Sequence, residues 1–360
     1  MKSLHALFAA LSLCFVIAAC SESSTTAPPD DIVIANGKIR YFQFDSNGVA
    51  TSYVTDPVAG TPKVFLTNSL VLSSRRNGQL LAVRIGGQGR PTGASIVNDS
   101  GVSVRDIYLP NDVTLPIALS PTGEVIFYAT PTVNAEESYH VRNVVTGVES
   151  VLTDIGGREG TVAFSRDGKR IAFYETPERI TPDTPDRLVV ANVDGTGRVV
   201  VTDTAKSLND NQGGLAWSAA GDRLYFLRQE EDDVTLWSIG VNGSTPMRLS
   251  ATLPAATTPT VSPDGKTIAF AGINYDLGSD IWTVASDGTN LKKITSGLGS
   301  LHFAFYPSWS PDGKKIAYTD LDGSGPGDPR GGALRVVDVA SGVSTLLDPG
   351  PFVLWSYWDY

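Results

Sequence analysis

Seven short stretches of this chain carry variants of one sentence, spaced so evenly that the architecture follows before any chemistry is considered. The clearest copies are Thr260-Val-Ser-Pro-Asp-Gly-Lys-Thr-Ile-Ala-Phe270 and Ser308-Trp-Ser-Pro-Asp-Gly-Lys-Lys-Ile-Ala-Tyr318. Weaker copies centre on Ser120, Ser165 and Ser218, a degraded one on Ser73, and a truncated one ends the chain at Trp355-Ser356. The serine-to-serine steps are 47, 45, 53, 44, 48 and 46 residues. A period in the forties with strand-forming content predicts an all-β chain, a β-propeller with one four-stranded blade per repeat.

The repeated sentence reads as a hairpin. Residues before the serine form one strand, and the alternating apolar residues after the turn (Ile268, Phe270; Ile316, Tyr318) form the next. In Ser-Pro-Asp-Gly the proline presets φ and the glycine takes a left-handed conformation without steric cost, so these serines and aspartates are read as turn residues. The third and fourth strands follow each copy: Asp280–Ala285 and Leu291–Thr295, Leu188–Val193 and Arg198–Thr202, Thr235–Ile239 and Met247–Leu249. Asp-Gly or Asn-Gly separates the members of each pair, a strong hairpin signal.

The two ends complement each other. The chain finishes on a first-strand signature, Phe352–Ser356, with no hairpin partner after it. Near the start, Gly37–Phe44, Ser52–Thr55 and Lys63–Thr67 read as strands two to four of a blade that lacks its first. Pairing the two would close a ring of seven blades and remove its free edges. The alternative is six blades with a degenerate segment near residues 70–110.

The repeat resembles the WD-repeat-like propeller repeats of the Tol–Pal system protein TolB and of prolyl-oligopeptidase-like peptidases, over residues 33–360. That resemblance implies a single propeller domain and carries little about activity. TolB-like propellers usually have six blades. TolB also has an N-terminal α/β domain and the peptidases an α/β-hydrolase domain; neither is expected here. No Gly-x-Ser-x-Gly elbow occurs, so peptidase activity is not carried over. Oligogalacturonate lyases would need a multi-histidine metal site, and beyond residue 19 the only histidines are His140 and His302.

Residues 1–19 read as a signal peptide: a positive start, then an apolar run from Ala6 to Ala19 too short for a membrane span. Ile17-Ala-Ala-Cys20 resembles a bacterial lipoprotein lipobox, which implies lipidation of Cys20; an ordinary secretory signal is the alternative. Residues 20–32, polar and proline-bearing, read as a flexible tether. Ser21 follows the cysteine where Asp would retain such a protein at the inner membrane. The resemblance therefore implies a lipid-anchored protein of the bacterial cell envelope, in the outer membrane facing the periplasm or at the cell surface. Cys14 and Cys20 are the only cysteines, so no disulfide is expected in the propeller.

A formal net charge of −10 argues against a nucleic-acid partner and against attraction to anionic lipid, leaving the N-terminal lipid as the expected membrane contact. Asp320-Leu-Asp322-Gly-Ser324-Gly-Pro-Gly-Asp328 places oxygens at positions 1, 3, 5 and 9 with glycine at 6. It resembles calcium loops of EF-hand-like and integrin-propeller sites, which makes Asp320, Asp322, Ser324 and Asp328 candidate ligands of a structural Ca²⁺; a Gly/Asp-rich connection is the other reading. The run Glu230–Asp233 is expected at a hairpin tip, and Trp217, Trp237, Trp282 and Trp309 between blades. Two functional classes remain: a non-catalytic scaffold for an envelope protein or peptide, or an enzyme or binding protein for envelope glycans or peptides. The second needs convergent acids such as Asp183, Asp276 or Asp280 at the channel mouth.

Overall fold

The computed structural model describes residues 37–44, 50–57, 61–74, 79–86, 90–131, 137–152, 162–175, 186–205, 214–230, 233–250, 255–274, 278–296, 302–322, 332–349 and 353–358. Cys20, the tether and most of the 320–328 loop lie outside them. Among the described residues all regular structure is β. The first three strands are β1 (Ile39–Phe44), β2 (Ala50–Thr55) and β3 (Lys63–Thr67). Next come β4 (Ser69–Ser74), β5 (Leu80–Ile85), β6 (Pro91–Val97) and β7 (Ser103–Ile107). The third group is β8 (Thr114–Leu119), β9 (Val125–Pro131), β10 (Glu137–Asn143) and β11 (Glu149–Leu152). The fourth is β12 (Val162–Phe164), β13 (Arg170–Glu175), β14 (Asp186–Asn192) and β15 (Val199–Ala205). Then follow β16 (Leu215–Trp217), β17 (Arg223–Glu230), β18 (Asp233–Gly240) and β19 (Met247–Arg248). After these run β20 (Ala255–Val261), β21 (Thr267–Asn274), β22 (Gly278–Ala285) and β23 (Lys292–Lys293). The last are β24 (His302–Trp309), β25 (Lys315–Asp322), β26 (Gly332–Asp338), β27 (Ser344–Asp348) and β28 (Val353–Trp358).

Strands β4–β7, β8–β11 and β12–β15 each form a four-stranded antiparallel sheet, and a fourth such sheet has the order β28-β1-β2-β3. The segment 70–110 thus builds a sheet of its own. Strands β16 to β27 form three further antiparallel runs, linked into one sheet by parallel pairing of β18 with β20 at Val234/Ala255 and of β22 with β24 at Gly278/His302 and Ser279/Phe303. The last strand lies antiparallel to the first, Ile39 opposite Trp358 and Arg40 opposite Tyr357.

In five sheets the turn after the first strand is described, and it is built by its serine. Ser310 N–H donates to the Lys315 carbonyl (2.9 Å) and the Gly313 amide donates to the Ser310 carbonyl (2.9 Å). The hydroxyl donates to Asp312 Oδ1 (2.7 Å) and accepts from the Lys315 amide (2.9 Å), while Asp312 Oδ1 also accepts from the Lys314 amide (3.0 Å). Gly313 has φ 69°, the left-handed region where a side chain is strained. Ser165 and Ser262 repeat the pattern with Asp167 and Asp264; Ser218 uses Asp222 and Ser120 uses Thr122. All five serines are buried. They are structural, as the sequence implied.

This end of each sheet also carries the turn between strands three and four, and the two turns are tied. The amides of Val144, Val193, Val241, Ser286 and Val339 donate to the carbonyls of Glu124, Lys169, Asp222, Lys266 and Lys314 at 2.8–2.9 Å. Neighbouring sheets align there too. Gly168 lies against Thr122, Gly265 against Ala219 and Gly313 against Pro263, and Arg170 Nη2 donates to the Gly221 carbonyl (2.6 Å).

The core is divided among the sheet faces. Phe127 and Tyr139 pack with Phe164 and Phe173; Tyr174 and Leu188 with Trp217 and Phe226; Leu227 and Leu236 with Val261 and Phe270; Ile273 and Ile281 with Phe305 and Tyr318. Ile39 and Tyr41 of β1 pack against Ala317, Leu334 and Val336 of β25 and β26, so the first strands and the last sheet share a core. Trp217 and Trp309 bind sheet to sheet, their indole N–H groups donating to the carbonyls of Ala163 (2.9 Å) and Thr260 (3.3 Å).

Two fourth strands are shorter than the sequence predicts. At β23 only Lys292–Lys293 pair as a strand, because Ile294 and Thr295 both turn their amides to the Ile281 carbonyl while the Thr295 hydroxyl takes the Ile281 amide (2.9 Å). Ser250 does the same to Leu236 beside β19 (2.8 Å). A side-chain acceptor thus replaces a rung of the ladder.

These turns and bridges can be tested by three substitutions. Ser310→Ala should cost about 1–3 kcal/mol, read by denaturant unfolding, since it strands a buried amide. Burial acts to raise the pKa of Asp312, but the bonds from Ser310 and Lys314 and the charges of Lys314 and Lys315 prevail and hold it below the usual carboxylate value. Stability from this group is present above its unfolded pKa of about 3.9 and is lost as pH falls through the lower folded value. Asp312→Asn should therefore lower stability at pH 7 and have a smaller effect at pH 3. Separately, Gly278 has φ 107° and a Cβ there would stand 2.0 Å from the His302 carbonyl. Gly278→Ala should cost more than about 3 kcal/mol, against about 1 kcal/mol for Gly288→Ala, where only backbone strain applies.

Candidate functional site

The end of the strands opposite the serine turns carries the connections of unequal length, and the polar clusters of the last three sheets gather toward it. Asp320 lies near that end of β25, His302 starts β24, and Arg335 lies on β26. The ladder sets Ala304 and Ala333 opposite Asp320, so His302, Asp320 and Arg335 fall on one face. Asp320 Oδ1 meets His302 Nδ1 at 3.0 Å and Oδ2 accepts from Arg335 Nε at 2.7 Å, with the Asp320 side chain 3% exposed. The contact with the carboxylate orients the ring and turns Nε2 away from Asp320. The imidazole is 27% exposed, and no described residue bonds Nε2.

Asp280, on the adjoining β22, accepts from Thr295 Oγ1 (2.9 Å) and pairs with Lys293. Tyr318 lies under this seam. Burial pushes its pKa up to about 12 against the lowering influence of Ser344 and Arg335, so the phenol remains neutral. At the next seam Tyr41 donates to Asp348, which also accepts from Gln43 Nε2 (3.1 Å), and Tyr53 stacks on Tyr41 at 5.4 Å. Burial first, then Asp348, raise the Tyr41 pKa well above the usual range.

His140 belongs elsewhere. It stacks on Tyr128 (4.9 Å, 5°), with Nε2 2.9 Å from Thr130 Oγ1 and Nδ1 3.2 Å from Glu149 Oε1. Glu149 also accepts from the Tyr128 hydroxyl, whose pKa is raised by burial and then by Glu149. Both ring nitrogens are engaged, and the cluster locks β9, β10 and β11 together.

The sequence-based candidates therefore separate. Asp280 and Asp320 are held in ion pairs; Asp183, Asp276, Ser324 and Asp328 lie outside the described residues, as does the side chain of Asp322. As a first calcium ligand Asp320 fits poorly, because both its oxygens are taken by His302 and Arg335. Among the described residues no three His, Cys, Asp or Glu side chains come together as a metal site. Glu230 and Asp233 face each other at the tip of the β17–β18 hairpin, as expected. Sequence reading missed Arg335, Glu149 and Asp348, whose partners lie on other strands. Parity in the ladder, once the register is known, is the signal that finds Arg335.

No protein-family model and no curated protein sequence matches the chain. Solved structures do match in shape. TolB from Acinetobacter baumannii aligns with a TM-score of 0.54 at 15% identity over 89% of this chain, which spans 66% of that one. The β-propeller domain of the Trilobed protease from Pyrococcus furiosus gives 0.62 at 9% identity, covering 86% and 94% of the two chains. Oligogalacturonate lyase from Vibrio parahaemolyticus gives 0.56 at 15%, covering 88% and 87%. At such identities the likeness carries the fold and leaves activity open. This chain has the β-propeller fold that those three proteins share.

Proposed function

We propose that the protein is a lipid-anchored, non-catalytic β-propeller of the bacterial cell envelope that holds an envelope protein or peptide at the loop end of its strands. We further propose that it is a closed ring of seven blades. The antiparallel pairing of β28 with β1 and the core shared by β1, β25 and β26 support closure; the Pyrococcus domain, in contrast, has an open velcro topology. The observation that carries the scaffold reading is the contrast between the two ends. One end is fixed by a repeated serine turn, while the other spans gaps as different as Glu230 to Asp233 and Leu321 to Gly332. Variable loops on a rigid frame are where propellers and other scaffolds place recognition. Of the acids that could serve catalysis there, Asp280 pairs with Lys293, and Asp320 beside it pairs with Arg335; Asp183 and Asp276 lie outside the described residues.

Anchoring rests on the Ile17-Ala-Ala-Cys20 sequence. The protein should fractionate with membranes, the mass of its N-terminal peptide should show an acylated cysteine, and Cys20→Ala should release it. Crosslinking in native membranes should then capture one stoichiometric protein partner. Replacing residues 323–331 with a short Gly-Ser linker should abolish capture while leaving the unfolding midpoint within a few degrees. Capture of no protein, or turnover of an envelope glycan by the purified chain, would replace the scaffold reading with the enzymatic one. Addition of Ca²⁺ should leave the unfolding midpoint unchanged; a calcium-dependent rise lost in Asp322→Asn would restore the 320–328 loop as an ion site.

A further inference from the structure

The serine-turn end carries a feature that the scaffold reading does not use. Most of the large exposed hydrophobic residues sit there, at or beside the turn between the third and fourth strands. Val64 is 58% exposed, Val102 60%, Val145 63%, Val148 68%, Val199 51% and Val343 63%. They come from five different sheets: Val64 near the start of β3, Val102 before β7, Val145 and Val148 between β10 and β11, Val199 at the start of β15, Val343 before β27. The ladder places Val145, Val148, Val199 and Val343 at the same end as the serine turns of their sheets, and Val64 and Val102 stand at the corresponding third-to-fourth-strand turns. Asn143 pairs with Val125, Asn192 with Arg170 and Asp338 with Lys315, each the residue on which a serine turn closes. Because neighbouring turns pack on one another, these ends form one continuous rim.

The chain enters the fold at this same rim. Ile39, the first residue of β1, pairs with Thr55, the last of β2, and Val54 pairs with Lys63, the residue before Val64. Residues 20–36, between the cysteine and Gly37, therefore join the fold beside Val64. A flexible coil of that length has a root-mean-square span of about 20–25 Å. An anchor so short keeps the rim close to the bilayer and gives even weak contacts a high effective concentration.

The rim carries both signs of charge: exposed lysines at 38, 63, 169, 266 and 314 and, in its turns, exposed acids at Glu124, Asp167, Asp194, Asp222, Asp264, Asp287 and Asp312. Contact there must come from the valines and the lysine stems, which match the boundary between acyl chains and headgroups, with the carboxylates kept at the hydrated headgroup level.

We propose that the rim of turn valines lies on the bilayer surface, with the propeller axis upright and the loop end directed away from the membrane. The proposal rests on the reading that Cys20 is acylated. It fixes which end of the propeller is free to meet a partner.

The test uses the protein purified from bacterial membranes and reconstituted into phosphatidylethanolamine vesicles containing a minor fraction of phosphatidylglycerol. A polarity-sensitive dye is placed at Val148→Cys on the rim or at Thr92→Cys, an exposed residue near the start of β6 at the opposite end. The rim dye should be blue-shifted and quenched several-fold more by nitroxide-bearing lipid than the Thr92 dye. Equal quenching at the two positions would overturn the proposal. The mass of the N-terminal peptide, taken from the same sample, separates this failure from failure of the anchoring reading. If the cysteine carries no lipid, flotation with the vesicles decides: a bound chain released by Val145→Asp with Val148→Asp supports the rim, and an unbound chain overturns it. Both substitutions lie at exposed turn positions, and circular dichroism should show an unchanged fold.

Discussion

The buried serine hydroxyl at each first turn is the contact on which the rest of the molecule depends. It accepts the amide of the residue five positions on and, in four of the five described turns, donates to the carboxylate of an aspartate, so one atom joins the innermost strand to the second. The turn glycine it holds packs against the preceding sheet, and the carbonyl next to it receives the turn between strands three and four. A local hydrogen-bond pattern therefore propagates outward along a sheet and sideways to its neighbour. Repetition supplies the rest, because the apolar clusters bridge neighbouring four-stranded units, the largest joining residues of β1–β2, β4–β7 and β8–β9, and no unit can bury its faces alone.

This explains how much could be read from the sequence. Turn chemistry and two-residue alternation act over a few residues, so the hairpins of Ser262 and Ser310 were legible, as were the strands behind them. The β28–β1 pairing was legible for another reason: an unpaired first strand at one end matched three strands lacking a first at the other. The short β19 and β23 were not. Thr295 and Ser250 replace ladder rungs with hydroxyls, and nothing in Leu291–Thr295 marks where pairing stops.

The candidate site was less legible because its bonds cross strands. Asp320 looked like the start of a calcium loop, since sequence shows neighbours along the chain only. Its closest partners are on β24 and β26, and they spend both carboxylate oxygens on His302 and Arg335. The two histidines, equivalent by composition, differ by register: His140 is held at both nitrogens, His302 at one.

Joining the last strand to the first has a kinetic side. Ile39 and Trp358 emerge from the ribosome nearly a whole chain apart, and their contact has the longest loop to close. Until β28 arrives, β1 offers an open edge, and Ile39 and Tyr41 lack the faces of β25 and β26 that cover them. Folding of the intervening strands can proceed repeat by repeat, but the sheet that joins β28 to β1 is completed last. The nascent chain is thus most exposed to aggregation and to proteases in the interval before β28 has emerged.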